Sequence, residues 1–266
     1  MFALPYAGGS ASIYRDWNFR LGPMIEVCPF EYAGHAGRFG ESFFSSIEET
    51  AEDVSEWIRK HQAEDYIIYG HSMGSLVALE TEYVLERKDI ILPKAIVVAA
   101  CCPPHLRDKG IQLGRLSKED LMKEMVSRGQ YDHEILENRE LFALLSDVMY
   151  ADIQMYSRYE RSYESGKIHV PLIALAGELD RETPKEDMQE WQKYTESHYV
   201  FHMCRGNHFF AFNESEAFTK DYLTLCNPYL DLGGSIQLLS ERRSQVSIKG
   251  RSTEDDKSVS KGFTRI

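Results

Sequence analysis

Tyr66-Ile67-Ile68-Tyr69-Gly70-His71-Ser72-Met73-Gly74-Ser75-Leu76 is the stretch that decides how this 266-residue chain folds. Its first four residues make a short apolar run of strand character, and Ser75-Leu76-Val77-Ala78-Leu79 opens a helix-like stretch. Gly70-x-Ser72-x-Gly74 between them has the form of a nucleophile elbow, a sharp strand-to-helix turn that lifts a serine hydroxyl clear of the backbone. Such a turn is tight enough that its flanking positions must be almost bare of side chain, which glycine supplies. By composition alone the pentapeptide turns up in roughly one chain in ten of this length. Its setting, strand before and helix after, therefore carries the reading.

An elbow serine needs an acid and then a histidine farther along the chain. Val170-Pro171-Leu172-Ile173-Ala174-Leu175-Ala176 reads as a buried strand, and Gly177-Glu178-Leu179-Asp180 turns off its end before Thr183-Pro184 starts a helix. Asp180 is the candidate acid, with Glu178 its nearest rival. A second strand, Tyr199-Val200-Phe201-His202-Met203, runs into the loop Cys204-Arg205-Gly206-Asn207-His208. Of nine histidines, His71 lies inside the elbow and His202 inside the strand, so His208 is the candidate base. A serine hydroxyl is a weak nucleophile until an imidazole takes its proton, and the carboxylate fixes the imidazole tautomer. The negative charge that develops on the attacked carbonyl needs donors, each contributing roughly 3 kcal/mol. The backbone amide of Met73, just after the serine, is one candidate. Phe2-Ala3-Leu4-Pro5-Tyr6-Ala7-Gly8-Gly9 is a strand with a Gly-rich loop at its end, and it offers the Ala7 amide as the other.

Strand signals at Phe2 to Leu4, Glu26 to Cys28, Tyr66 to Tyr69, Ala95 to Ala100, Leu172 to Ala176 and Tyr199 to Met203 alternate with helical ones. That alternation predicts an α/β class, the α/β-hydrolase fold, with a mostly parallel sheet and helices on both faces. The core is expected over residues 1–102 and 169–232. A helical lid insertion is expected over 103–168, where Ser117-Lys118-Glu119-Asp120 has the form of a capping box. Met122, Phe142, Met149, Tyr150 and Met155 in the insertion are candidates to line an acyl channel, as are Met125, Leu141, Leu145 and Tyr156, since adaptable apolar side chains suit a flexible chain. The competing reading is packing, because helical spacing of apolar residues is usually core. Residues 233–266 are polar, rich in Ser, Lys and Arg, and expected to be disordered.

An apolar content of 43% suits a globular α/β domain. The sequence has no apolar run approaching the roughly 20 residues that span a bilayer, and no leading basic stretch and apolar core of the secretory type. Five cysteines, an odd number without CxxC spacing, argue against a disulfide framework or a zinc site. The expectations are a cytoplasmic monomer with no metal, no membrane and no nucleic-acid partner.

The segment FALPYAGGSASIYRDW, the GHSMGS elbow, Tyr150-Ala151-Asp152 and the late GNHFF together resemble type II thioesterases of fatty-acid, polyketide and non-ribosomal peptide synthesis, from residue 2 to about residue 230. The resemblance implies hydrolysis of acyl or aminoacyl thioesters from the phosphopantetheine arm of an acyl or peptidyl carrier protein, as release or editing of stalled chains. It implies no cofactor of the enzyme's own, since the arm belongs to the substrate. It marks Ser72, Asp180 and His208 as catalytic and Ala7 and Met73 as oxyanion donors, the residues reached independently above. Relatives usually carry a further edge strand before the PYAGG strand, whereas Met1 stands directly on it here. The sheet is therefore expected to be shortened, or the start truncated with an exposed edge. A net charge of -12 gives no long-range attraction to an acidic carrier protein, so a local basic patch is required. Arg107, Lys109 and Arg115, or the basic tail, are the candidates. A carboxylesterase or lipase, an acyltransferase and a non-catalytic binding protein on the same fold remain open alternatives.

Overall fold

Ile67–His71 and Ala95–Ala99 are buried along their whole length, as strands covered on both faces must be. They pair in parallel from Ile67 against Ala95 to His71 against Ala99. The computed structural model describes residues 1–22, 25–106, 108–213 and 215–230. In chain order these contain β1 (Phe2–Leu4), α1 (Trp17–Leu21), β2 (Cys28–Pro29), α2 (Ile47–His61), β3 (Ile67–His71), α3 (Met73–Arg87), β4 (Ala95–Ala99), α4 (Asp108–Leu113), α5 (Lys118–Ser127), α6 (Arg139–Arg158), β5 (Leu172–Gly177), α7 (Lys185–Gln189), β6 (Tyr199–Cys204), α8 (Phe210–Asn213) and α9 (Ser215–Leu230). Among the described residues the strands form one sheet in the order β2-β1-β3-β4-β5-β6, and every pairing is parallel. This is the α/β-hydrolase arrangement. The expected disorder of residues 233–266 lies outside the described residues.

β2 falls later than the expected Glu26 to Cys28. The side chain of Asn18 takes both backbone groups of Val27, accepting from its N–H at 2.7 Å and donating to its carbonyl at 3.2 Å, so Val27 has nothing left for a ladder. Pairing starts only where Cys28 N–H donates to Met1 O at 2.8 Å. β2 is the edge next to β1, short and closed by Pro29, two features that blunt an edge against further pairing. β3 runs on through His71 because β4 pairs with it to that point. β4 stops at Ala99, since Ala100 adopts a left-handed φ of 52°.

α2 starts where the Ser46 hydroxyl accepts from Glu49 N–H, and it buries Ile47, Ala51, Val54 and Ile58 at helical spacing. The chain between β4 and β5 contains α4, α5 and α6 and no strand among its described residues. Ser117 caps α5 through Asp120 N–H, and Asn138 caps α6 through Leu141 N–H. Among the described residues no helix is long and apolar enough to cross a membrane, and no cluster of His, Cys, Asp or Glu has the makings of a metal site.

Candidate active site

Three hydrogen bonds, two between backbone groups and one from a side-chain hydroxyl, build the elbow and leave Ser72 on the cavity wall. Ser72 N–H donates to Ala99 O at 2.7 Å, Ser75 N–H donates to Ser72 O at 2.9 Å, and the Ser75 hydroxyl donates to Gly70 O at 3.0 Å. Ser72 is thereby held at φ 51° and ψ -118°, a conformation that L residues rarely adopt and that persists only where the surroundings enforce it. Gly74 lets α3 approach the end of β1, since a Cβ there would stand 2.3 Å from Leu4 O.

Asp180 and His208 sit on the turns after β5 and β6, adjacent in the sheet, and this brings two distant sequence positions together. His208 Nδ1 donates to Asp180 Oδ2 at 2.8 Å. The same oxygen accepts from the Thr183 hydroxyl at 2.7 Å, and Oδ1 accepts from Glu182 N–H at 2.8 Å. Burial alone would raise the Asp180 pKa, but the hydrogen bond and charge of His208, helped by Thr183 and the Glu182 amide, bring it down to about 2. It is a carboxylate at any working pH. Glu178, the rival acid, is exposed.

His71 was passed over by sequence reasoning as merely interior to the elbow. Its Nε2 lies 2.9 Å from His208 O and its Nδ1 3.0 Å from the Tyr69 hydroxyl. Burial, reinforced by the charge of His208, pushes its pKa down to about 3, so the ring is neutral. A carbonyl only accepts, so Nε2 carries the proton and Nδ1 accepts from Tyr69. His71 thus steadies the backbone of His208, the candidate base.

Ser72, His208, Ala7 and Met73 all line one cavity of about 330 Å³. Among the described residues the Ala7 and Met73 amides have no acceptor, which leaves both donors free for a ligand. Ser72 and His208 share the wall without a direct hydrogen bond, a separation common in unliganded sites that tightens when substrate arrives. Met125, Ile153 and Tyr156 supply apolar wall from the insertion, and Arg128, Gln130, Glu182 and Asp187 supply polar wall.

Of the expected channel residues, Met125 and Tyr156 line this cavity, whereas Met122, Leu141, Phe142, Leu145, Met149, Tyr150 and Met155 are not among those lining it. Met122, Met149 and Met155 are buried in the core, and Phe142 and Tyr150 pack half-buried against it. Met155 sulfur accepts from Thr50 on α2 at 3.2 Å, and the Tyr150 ring faces Lys118 Nζ at 5.5 Å. α5 and α6 each carry apolar residues on more than one face, and only the row of Met125 and that of Ile153 and Tyr156 look into the cavity. Of the expected basic patch, the side chains of Arg107 and Lys109 lie outside the described residues, and Arg115 is exposed.

Residues 1–226 match the family described as "Thioesterase domain". The chain is 29% identical over 219 residues to linear gramicidin dehydrogenase LgrE of Brevibacillus parabrevis, covering 81% of this chain and 83% of that protein. It is 28% identical over 211 residues to thioesterase PikA5 of Streptomyces venezuelae, covering 79% and 74%. Among solved structures it is similar to RedJ, a thioesterase from the prodiginine biosynthetic pathway in Streptomyces coelicolor, with a TM-score of 0.74, 29% identity and coverage of 84% and 86%.

Proposed function

The chain belongs to the thioesterase-domain family, a hydrolase of thioester bonds, and from that premise we propose that it releases acyl or aminoacyl groups from the phosphopantetheine arm of a carrier protein through an acyl-Ser72 intermediate. The observation that supports this best is the convergence of Ser72, the His208–Asp180 pair and two unengaged amides on one cavity. Similarity to RedJ, from the prodiginine biosynthetic pathway, and to ClbQ, from the colibactin NRPS/PKS pathway, supports a reading of release or editing during polyketide or non-ribosomal peptide synthesis. The dehydrogenase in the name of LgrE points elsewhere. Hydride transfer is usually served by a Gly-x-Gly-x-x-Gly turn on a dinucleotide, and the strand-to-helix turn here reads Gly70-His71-Ser72-Met73-Gly74.

In the proposed reaction, Ser72 Oγ attacks the thioester carbonyl while His208 Nε2 takes its proton. The resulting oxyanion meets the Ala7 and Met73 amides. The C–S bond then breaks, and His208 returns the proton to the departing phosphopantetheine thiol. Water attacks the acyl-serine with His208 again as base, the ester C–O bond breaks as His208 hands that proton to Ser72 Oγ, and the carboxylic acid leaves. The arm arrives with the substrate, so the sequence of steps calls on no cofactor of the enzyme. The insertion covers the site as a lid, with the acyl chain against Met125, Ile153 and Tyr156.

The test is incubation with a panel of acyl- and aminoacyl-carrier proteins, read by intact mass, beside p-nitrophenyl esters and added alcohols or amines. Loss of the acyl mass to water, abolished in Ser72→Ala, is the expected result. Faster turnover of the oxygen esters would favour an esterase, and acyl alcohols or amides as products an acyltransferase.

A further inference from the structure

We propose that the ion pair between Arg128 and Glu182 is a latch that sets the width of the acyl passage: it holds the end of α5 across Ser72, and a bulky acyl group reaches the serine only when the pair lets go. The inference rests on the reading of Ser72 as the residue that takes the acyl group. α5 ends in a Schellman turn, with Gln130 N–H on Met125 O and Gly129 N–H on Val126 O, each at 3.0 Å, and with Gly129 at a left-handed φ of 77°. Arg128 and Gln130 leave this turn on either side of the glycine and go to different loops. Arg128 Nη1 lies 2.5 Å from Glu182 Oε2, on the turn after β5. Gln130 Nε2 donates to Ala7 O at 2.6 Å, in the loop after β1. β3 and β4 stand between β1 and β5 in the sheet, and Ser72 follows β3. A segment tied to the β1 loop at one end and to the β5 turn at the other therefore crosses above the serine. Met125, Arg128, Gln130 and Glu182 all line the cavity that holds Ser72.

The two ends of this strap are held unequally. At the β1 loop the Tyr131 hydroxyl lies 3.4 Å from Gly8 O, and α6 adds Asp152, 3% exposed, whose Oδ2 accepts from Gly8 N–H at 2.7 Å and meets His35 Nε2 at 3.0 Å. Gly8 has no side chain, and the insertion closes directly on it: a Cβ there would stand 2.4 Å from Met149 Cε and 2.5 Å from the Tyr131 hydroxyl. That end is buried and packed. At the β5 turn the bond is one ion pair, with side chains 25% and 34% exposed. Arg128 Nη2 also lies 2.8 Å from Glu124 Oε1 on its own helix. A guanidinium that keeps Glu124 when it leaves Glu182 stays paired, so the β5 end is the one that yields.

Opening the latch leaves the catalytic acid in place. Glu182 holds Asp180 Oδ1 through its backbone N–H at 2.8 Å, whereas the latch uses its side chain. With the latch shut, the acyl chain has the cavity of about 330 Å³ between Met125, Ile153 and Tyr156 on the insertion and Glu182 and Thr183 on the β5 turn. With it open, that space widens toward the β5 turn. A partly exposed ion pair of this kind favours the shut form by at most about fivefold, which is enough to discriminate between acyl groups without blocking turnover.

The full-length enzyme carrying Arg128→Gln, Glu182→Gln or both is compared with wild type for kcat/KM on propionyl- and 3-phenylpropionyl-carrier thioesters, which differ only in a phenyl ring at the end of the acyl chain. A passage open part of the time admits the larger group in proportion to its open fraction. Each single variant is expected to raise the ratio of phenylpropionyl to propionyl turnover about threefold to fivefold, and the double variant no further, since the latch is already gone. Raising salt from about 0.05 to about 0.5 M screens the pair, so it should raise the wild-type ratio and leave the variants unmoved. A rise under about twofold in the single variants, or a double variant whose rise is the product of the two singles, overturns the proposal. Should wild type release neither acyl group, the same ratio is read from labelling of Ser72 by methyl and 3-phenylpropyl fluorophosphonates, with the same expected and overturning results. No labelling of Ser72 by either reagent would instead bring down the reading of the site itself.

Discussion

The Nε2 of His71 donates to the backbone oxygen of His208 at 2.9 Å, so the residue before the serine holds the loop that carries the imidazole. A hydrogen bond from the end of β3 to the His208 loop fixes how far His208 stands from Ser72 without touching either reacting atom. His71 also links the site to acid stability. Its pKa is near 3 in the fold and about 6.5 in an unfolded chain, so the unfolded state binds the extra proton first. The stability that neutral His71 contributes is complete above about pH 6.5 and declines as the pH falls from there toward 3. His71→Gln, which keeps a donor without titrating, is expected to lose less Tm than wild type between pH 7.5 and pH 5. Parallel melting curves for the two proteins would show that His71 is not a seat of acid sensitivity.

Asp180 is paired on both oxygens, and its charge is what orients His208. Asp180→Asn keeps the shape but offers an amide that can turn its N–H toward Nδ1 and favour the wrong tautomer. In serine hydrolases that exchange lowers kcat by about 10⁴-fold. A fall of about 10³-fold or more is expected here, with KM little changed. The single-turnover acylation rate, measured as acyl-Ser72 by mass, should fall by the same factor. Acylation at the wild-type rate would mean that Asp180 does not orient the base.

The elbow, the acid and the histidine were legible in the sequence because each is local: a glycine pair around a serine, and a polar residue at the end of a buried apolar run. The parallel sheet followed from the same runs. The start of β2 was not legible, because it depends on Asn18 claiming Val27 from the side. Nor were the cavity walls on α5 and α6. Met122 and Met125 stand one turn apart and both are buried in the core, and which of them also reaches the cavity is settled by where the helix docks, not by its periodicity. Asp152 stood out only through resemblance. Its bonds to Gly8 and His35 span 144 and 117 residues of sequence, and no local pattern encodes contacts at that range.

Glu82 on α3 is fully buried, and among the described residues its Oε2 has no hydrogen-bond partner. Burial, with the nearby charge of Glu86 adding to it, raises the pKa to about 7 despite the His169 amide. An acid raised in the fold binds its proton more tightly there than in the unfolded chain, where the pKa is about 4.3. Its contribution is therefore most favourable below about pH 4.3 and is lost as the pH rises through 7. Glu82→Gln is expected to raise Tm at pH 8 and to have little effect at pH 5. A variant that melts lower than wild type at pH 8 would contradict a buried, neutral-preferring carboxyl at this position.

Glu80, one turn before the end of the buried face of α3, ties that helix to the chain leaving α6. Its Oε1 accepts from the Tyr159 hydroxyl at 2.6 Å and from Arg161 Nε, and its Oε2 accepts from Arg161 Nη2 at 2.9 Å. The Glu80 side chain is 4% exposed and Arg161 24%, and the guanidinium also lies 4.1 Å from the Tyr83 ring centre. Removing one member of such a pair leaves the other charge buried without compensation, a loss of about 3 kcal/mol, whereas removing both is far less harmful. Arg161→Met is expected to destabilise by about that amount in urea unfolding, and Glu80→Gln combined with Arg161→Met to recover most of it. Because the bond anchors the exit of the insertion, Arg161→Met should also speed proteolytic cleavage within residues 103–168 under native conditions. An Arg161→Met protein losing under about 1 kcal/mol would place this ion pair with ordinary surface pairs and remove its role as the insertion's anchor.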